Sequence, residues 1–240
     1  MPLSVILVEP EYDENLGYCA RACRNFGIER LILVNPKANP QSLTAIARAM
    51  HSREILSNAV IEKTLLDALK NIDWAFASSS QKGSKQNLHR TSMTPRQFGT
   101  IAETQANSTG LVIGRESNGL TNDEIGLCDC LVTIPANIDY DSLNISHALT
   151  ILLYEAFVAP KSPNRQTVKA DQKNRMVEAF VELLKANNSI SNQRGAASAF
   201  KSVLAKAQPS PKEANALLTV LQKTAHKLNP PVKKNEKPQK

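Results

Sequence analysis

Glycine is scarce in this chain, nine residues in 240, and its placement excludes several enzyme classes. No Gly-x-Gly-x-x-Gly follows the first apolar run, where the turn reads Glu9-Pro10-Glu11-Tyr12-Asp13-Glu14-Asn15-Leu16-Gly17. No Gly-x4-Gly-Lys-Ser/Thr occurs anywhere. A phosphate-cradling loop needs glycines where backbone amides close on the anion. Dinucleotide oxidoreductases and P-loop enzymes are therefore disfavoured. No run of about 18 apolar residues exists, so no membrane span is expected. The amino terminus, MPLSVILVEP, lacks a basic region and a small-residue cleavage site. It reads as a first strand rather than a signal peptide, which points to the cytoplasm. Cysteines number four: Cys19 and Cys23 lie four apart on an expected helix, and Cys128 and Cys130 straddle one residue. Neither pair has the C-x2-C spacing of a zinc knuckle, so reduced structural thiols and no metal are expected. No internal repeat is visible.

The length suffices for one full α/β domain and a small second one. Hydrophobic residues make up 42%, the ordinary share for a globular chain with a buried core. The net charge of +7 is unevenly spread. Residues 1–160 hold 13 Lys+Arg against 17 Asp+Glu, whereas residues 161–240 hold 16 against 5. A basic appendage on a mildly acidic body suits a polyanionic partner. It also suits a solvated helical surface that serves solubility.

Short apolar runs bounded by turn residues read as buried parallel strands: Val5–Val8, Leu31–Val34, Ala75–Ala77, Leu111–Ile113 and Leu131–Ile134. Helical patterns separate them, which predicts a doubly wound α/β sheet. Thr94-Pro95-Arg96-Gln97 and Thr121–Glu124 are helix-start signatures. Leu143–Ala159 reads as a long helix whose apolar side is broad enough to meet a partner subunit as well as its own sheet. Pro160–Asn164 reads as a linker. Three helical patterns follow, over about 165–187, 191–207 and 211–228, the last opened by Ser210-Pro211-Lys212-Glu213. The expected organisation is a catalytic domain over 1–160, a helical basic extension over 161–228 and a disordered tail over 229–240.

In open α/β sheets, ligands lie beyond the carboxyl ends of the strands. The candidates there are Ser78, Ser79 and Ser80 after one strand, Gly114, Arg115 and Glu116 after the next, and Ile134 and Pro135 after the last. Gly114 would let a ligand approach the backbone closely. Any α/β protein carries small polar residues at such tips, so each position alone says little.

Three segments together say more: Asn15–Arg21 (NLGYCAR), Ile113–Leu120 (IGRESNGL) and Ile134–His147 (IPANIDYDSLNISH). Their order, spacing and chemistry resemble the three motifs of the SpoU branch of the SPOUT methyltransferases, over roughly residues 3–158. Phe26-Gly27, Ala136-Asn137, Tyr140 and the helical extension look most similar to the TrmJ-type enzymes. The resemblance implies a SPOUT fold, with helices on both faces of a parallel sheet and a carboxyl-terminal deep trefoil knot. It implies a homodimer that methylates the ribose 2′-oxygen of tRNA at position 32 of the anticodon loop, with S-adenosylmethionine as donor.

Carried over residue by residue, Ser78–Ser80, Gly114, Ile134, Ser142, Leu143 and Asn144 would line the donor pocket. Asn15, Arg21, Glu116, Ser142 and Asn144 would form the polar catalytic set. Arginine resists deprotonation, so Arg21 is assigned to substrate phosphate and to charge developing on the attacking oxygen, rather than to base catalysis. Asn15 and Asn144 would orient these groups, and Glu116 would hold Arg21 or a backbone turn. Arg90, in the polar stretch Gln81–Thr91, could meet phosphate, and Tyr140 could stack on a base or ribose. Each has a blander role open to it. Asn15 or Ser142 could cap a helix, Glu116 could pair with Arg115, Arg21 could be a surface charge, and His147 reads as a hydrogen-bonded core histidine. Competing functions are an rRNA 2′-O-methyltransferase, a non-catalytic RNA-binding module of the same fold, and an ordinary nucleotide-dependent α/β enzyme.

Overall fold

The computed structural model describes residues 3–80, 92–104, 108–160, 166–187 and 190–228. Arg90, the Gln81–Thr91 stretch, most of the linker and the tail 229–240 lie outside the described residues. Seven strands form one sheet: β1 (Leu3–Val8), β2 (Arg30–Val34), β3 (Val60–Glu62), β4 (Trp74–Ser78), β5 (Ser92–Met93), β6 (Thr109–Ile113) and β7 (Cys130–Val132). Their order is β3-β2-β1-β6-β4-β7-β5, and every pairing is parallel. All carboxyl ends therefore gather along one rim.

The central strands are apolar on both faces because helices cover both. Leu3, Val5 and Leu7 of β1 and Trp74 and Phe76 of β4 join the larger core beneath helices α1 (Asp13–Asn25), α2 (Leu43–Ala49), α3 (Arg53–Ser57), α5 (Pro95–Thr104) and α7 (Ile145–Val158). The alternate residues Ile6, Val8, Ala75 and Ala77 face a smaller core closed by α4 (Leu65–Leu69) and α6 (Asn122–Leu127). Helix starts follow their local chemistry. Thr121 and Glu124 form a reciprocal capping box, and Thr94 and Gln97 exchange the equivalent bonds around Pro95. Gly17 lets α1 lie against α2, since a Cβ there would collide with the Ala45 carbonyl. Two strands were not expected. β3 is a three-residue edge strand with Val60 and Ile61 exposed, and β5 has two residues, too few for a periodic pattern.

Helices α8 (Ala170–Ala186), α9 (Gln193–Ala207) and α10 (Pro211–Leu228), with the residues just before α8, contribute Val168, Met176, Leu204, Ala205 and Leu218 to the same large core as β1 and β4. They dock at the amino ends of β4 and β7. Lys173, only 7% exposed, donates to Asp129 Oδ2 at 2.6 Å and to the Asp73 carbonyl at 2.6 Å. Its ammonium lies 4.8 Å from the Trp74 ring centroid. Asp129 also accepts the Ala75 amide at 2.9 Å, Asp73 accepts the Ala170 amide at 2.8 Å, and Trp74 donates to Thr167 at 3.3 Å. Phe180 and Phe200 stack at 4.3 Å between α8 and α9. Removing one partner from a buried pair strands the other charge, at a cost of about 3–5 kcal/mol. Lys173→Met is therefore expected to lower the unfolding free energy by that amount in denaturant titration. A loss below about 0.5 kcal/mol would mean that the pair does not anchor the extension.

Candidate active site

A cavity of about 350 Å³ opens at the carboxyl ends of β4, β6 and β7. That lies within the range of small-molecule sites. Its walls include Ser78, Ser79 and Ser80 after β4, Gly114, Arg115 and Glu116 after β6, and Ile134 after β7; Ser142 and Leu143 approach from the segment leading into α7. Asn118, Leu120, Asp141 and Ile145 also line it; they lie within the motif segments but had been given no role of their own, and Ala148, a further wall residue, lies outside those segments.

The loop after β6 folds back on itself. The Arg115 and Gly119 backbones exchange hydrogen bonds at 3.3 and 3.0 Å, and Gly119 sits at φ +67°. A Cβ on Gly114 would strike the Gly119 backbone, so the glycine is needed for this self-contact. The Arg115 guanidinium is spoken for. It makes a two-pronged pair with Glu124 at 2.9 and 3.0 Å, a bond to Glu9 at 3.0 Å and one to the Gly119 carbonyl at 3.2 Å. Arg115 thus reaches the cavity wall while its charge is held on two carboxylates. It does not pair with Glu116.

Glu116 holds a turn instead. Its Oε2 accepts the Glu11 amide at 2.9 Å, and its Oε1 accepts Asn15 Nδ2 at 2.9 Å. Asn15 Oδ1 in turn accepts Asn144 Nδ2 at 2.9 Å. The remaining oxygen of Asn144 caps α7, accepting the Ser146 amide at 2.9 Å and the Ser146 hydroxyl at 2.8 Å. A carboxylate only accepts, so the orientation of both amides follows from Glu116. Asn15 is buried inside α1 and does not cap it; Tyr12 precedes the helix. Asn144, not Ser142, is the cap of α7.

The other marked residues lie apart. Asn144 borders the cavity through this bonded chain rather than on its wall, and Pro135 is exposed beyond it. Tyr140 is 79% exposed, in a turn closed by its amide on the Asn137 carbonyl at 3.1 Å. Arg21 is exposed on α1, and its guanidinium has no hydrogen-bond or ion-pair partner among the described residues. His147 is exposed too, against the expectation of a core histidine, because it follows the cap on the outer side of α7. All four cysteines are buried thiols, none joined in a disulfide. Burial pushes the Cys23 and Cys128 thiols up to about 12 and raises Cys19 and Cys130 as well.

Among the described residues, the ionisable wall groups are Arg115, Glu116 and Asp141, and Arg115 is already paired with two carboxylates. The described part of the wall is thus net anionic. It favours a cationic ligand over one carrying phosphates.

The profile of the SpoU rRNA Methylase family matches residues 2–154, well over half of the chain. The chain belongs to the SpoU methylase family. The tRNA (cytidine-2′-O-)-methyltransferase TrmJ of Methanocaldococcus jannaschii is 37% identical over 194 residues, 78% of this chain and 84% of that protein. The tRNA (cytidine/uridine-2′-O-)-methyltransferase TrmJ of Yersinia enterocolitica is 38% identical over 159 residues. That match takes in 65% of this chain and only 60% of the Yersinia protein, so the chain spans less than two thirds of this bacterial relative. The crystal structure of TrmJ from Z. mobilis ZM4 shares the fold, with a TM-score of 0.68 and 24% identity over 92% of this chain and 98% of that one. AviRb from Streptomyces viridochromogenes, solved with AdoMet, shares it at a TM-score of 0.51 and 22% identity, over 64% of this chain and 58% of that one.

In this SpoU methylase the second family segment is clamped by charge. Hydrogen bonding from Arg115 holds the Glu9 carboxyl below its ordinary value of 4.5. Burial works to raise Glu124, yet Arg115 and the Thr121 amide bring it below 4.5. A depressed folded value means that the clamp's stability is present above the unfolded carboxyl pKa and is lost as pH falls through the folded one. Arg115→Ala should therefore destabilise the fold by about 1–3 kcal/mol near neutral pH. Urea midpoints should show the gap to wild type steady down to about pH 5 and narrowing below about 4.5. A gap equally wide at the acid end would show that the clamp is not ionic.

Proposed function

We propose that this chain transfers the methyl group of S-adenosylmethionine to a ribose 2′-hydroxyl of tRNA, at position 32 of the anticodon loop. The observation that carries the reading is the strand-tip cavity, with the Glu116–Asn15–Asn144 chain at its edge. The names of the TrmJ relatives and the AdoMet bound to AviRb support it. The residues present fit the donor. Serine hydroxyls at 78–80 and backbone groups after β6 and β7 can hold an adenosine, and the anionic wall suits a sulfonium. When bound, the donor supplies a methyl carbon on a cationic sulfur, so transfer is an in-line displacement in which the ribose oxygen loses its proton to water.

The chain's own residues then position and polarise. Asn15 and Asn144 hold fixed amide orientations beside the cavity, which limits motion of whatever binds them. The Arg21 guanidinium stabilises the oxygen and the neighbouring phosphate. It lies about two helical turns beyond Asn15 and is exposed, so it serves the site of a second protomer. An apolar strip supports that homodimer. Phe26, just after α1, meets the Tyr154 and Phe157 rings at 6.4 and 5.8 Å, and Tyr154, Phe157 and Val158 of α7 are about half exposed.

The same reading includes a deep trefoil knot in the methylase core and a helical extension over 161–228 whose cations grip RNA. It places the enzyme in the cytoplasm with its substrate; no described helix is long and apolar enough to cross a membrane. The family description names rRNA, which keeps rRNA 2′-O-methylation as the second reading. Mass spectrometry of fragments from unmodified tRNA and rRNA, incubated with methyl-labelled donor, decides between them. A 2′-O-methyl group at position 32 of tRNA is expected, and label confined to rRNA would overturn the reading.

Two further outcomes follow from the shared site and the basic helices. Arg21→Ala and Asn144→Ala should each abolish methylation, with donor binding little changed in the arginine variant. Mixed after subunit exchange, they should regain roughly a quarter of wild-type activity, as expected for two-fold dimers with one intact site in half of the population. No recovery would place Arg21 at its own protomer's site. Because α8–α10 share the main core, charge removal tests them better than truncation. Lys212→Ala, Lys223→Ala and Lys227→Ala together should weaken RNA binding and reduce the slope of log K against log salt by about 0.7–0.9 for each phosphate no longer neutralised. An unchanged slope would free α10 from any role in holding RNA.

A further inference from the structure

The segment between β1 and α1 carries two carboxylates that belong to none of the three motif segments. Glu11 Oε2 accepts the Ser117 amide at 3.0 Å, while Oε1 accepts Lys37 Nζ at 3.0 Å. In return Glu116 Oε2 accepts the Glu11 amide at 2.9 Å, across 105 residues of sequence. Each loop thus caps the other's backbone, a reciprocal exchange like that of a capping box but made between distant segments. Glu9 adds a third tie through Arg115 at 3.0 Å. Glu9 sits at φ +44°, where a non-glycine residue is strained; its amide bond to the Val34 carbonyl at 2.8 Å helps to hold it there. All three ties end on residues 115–117, which line the cavity.

We propose that Glu11 is a positioning residue: by accepting the Ser117 amide it fixes the 115–119 loop in the shape that walls the cavity, and so sets donor affinity without touching the donor. This rests on the reading of the cavity as the S-adenosylmethionine site. The physical basis is preorganisation. A loop already held in its bound shape loses less freedom when the ligand arrives. Glu11 does this from the outside; its side chain is 17% exposed and is not among the cavity residues. Lys37 orients the carboxylate, and its polar contacts run to Glu11, Glu9 and Pro10 rather than to the loop.

The test compares Glu11→Ala, Glu11→Gln and Lys37→Ala by calorimetric titration with S-adenosylmethionine and by steady-state methylation of tRNA. Glu11→Ala should raise donor Kd and KM about five- to tenfold, the size of one ordinary hydrogen bond's net contribution, with kcat within about twofold. Glu11→Gln keeps an acceptor oxygen and should recover most of the affinity, and Lys37→Ala should bind as wild type does. Hydrogen exchange at Ser117 should quicken in the alanine variant alone. Wild-type affinity in Glu11→Ala, equal damage from alanine and glutamine, or a fall in kcat at constant KM would each overturn the proposal. If the wild type takes up no S-adenosylmethionine, the donor reading fails; Ser117 exchange then tests the loop tie by itself.

Discussion

A carboxylate can receive hydrogen bonds and cannot give them, and the geometry of this site follows from that restriction at Glu116. One oxygen takes the Glu11 amide, which fixes the turn before α1. The other takes Asn15, which turns the Asn15 carbonyl toward Asn144, which in turn directs its own oxygen to the start of α7. Three segments far apart in sequence are thereby held in a single relative arrangement. Asn15 is buried, and a buried amide left half satisfied is costly, so its bonds to Glu116 and Asn144 are specific as well as stabilising. Substitution at any of its members would leave a neighbour without its partner.

The molecule separates this polar end from an anchoring end. Parallel strands put the cavity at their carboxyl tips, and the Lys173–Asp129 pair sits at the amino ends of β4 and β7. The helices α8–α10 are fastened at the opposite ends of these strands from the cavity. Their attachment is apolar and ionic together: Met176 and Leu204 enter the main core while Lys173 lies on the Trp74 ring. The basic third of the sequence is consequently not a loosely tethered arm over its described helices but part of the folded body.

The central strands were legible because burial on both faces leaves an uninterrupted apolar run, as in Val5–Val8 and Leu31–Val34. Helix starts were legible because Thr121 and Ser210 each find a glutamate three residues on, and both bond as their spacing implies. The edge strands β3 and β5 carry no such signature; register against a neighbour makes them strands. In the site, the strand-tip positions Ser78–Ser80, Gly114 and Ile134 could be marked from local order alone. Glu9 and Glu11 could not, since their partners are more than a hundred residues away. Charged residues at the very tip of a buried strand were the available signal. Lys173 was hidden for the opposite reason. In a lysine-bearing helix it looked like one more solvent charge, and only the packed fold takes it out of water.

Sulfur is a better nucleophile than a hydroxyl, and α1 carries two thiols, Cys19 and Cys23, on its buried side. Cys19 is fully buried, and its thiol is raised well above the usual value first by that burial, then by Cys23 and by the negative charge of Glu116. Thiolate is the reactive form, and almost none exists at neutral pH under those conditions. Burial, with the nearby Glu116 charge as a lesser addition, therefore keeps Cys19 in its unreactive thiol form.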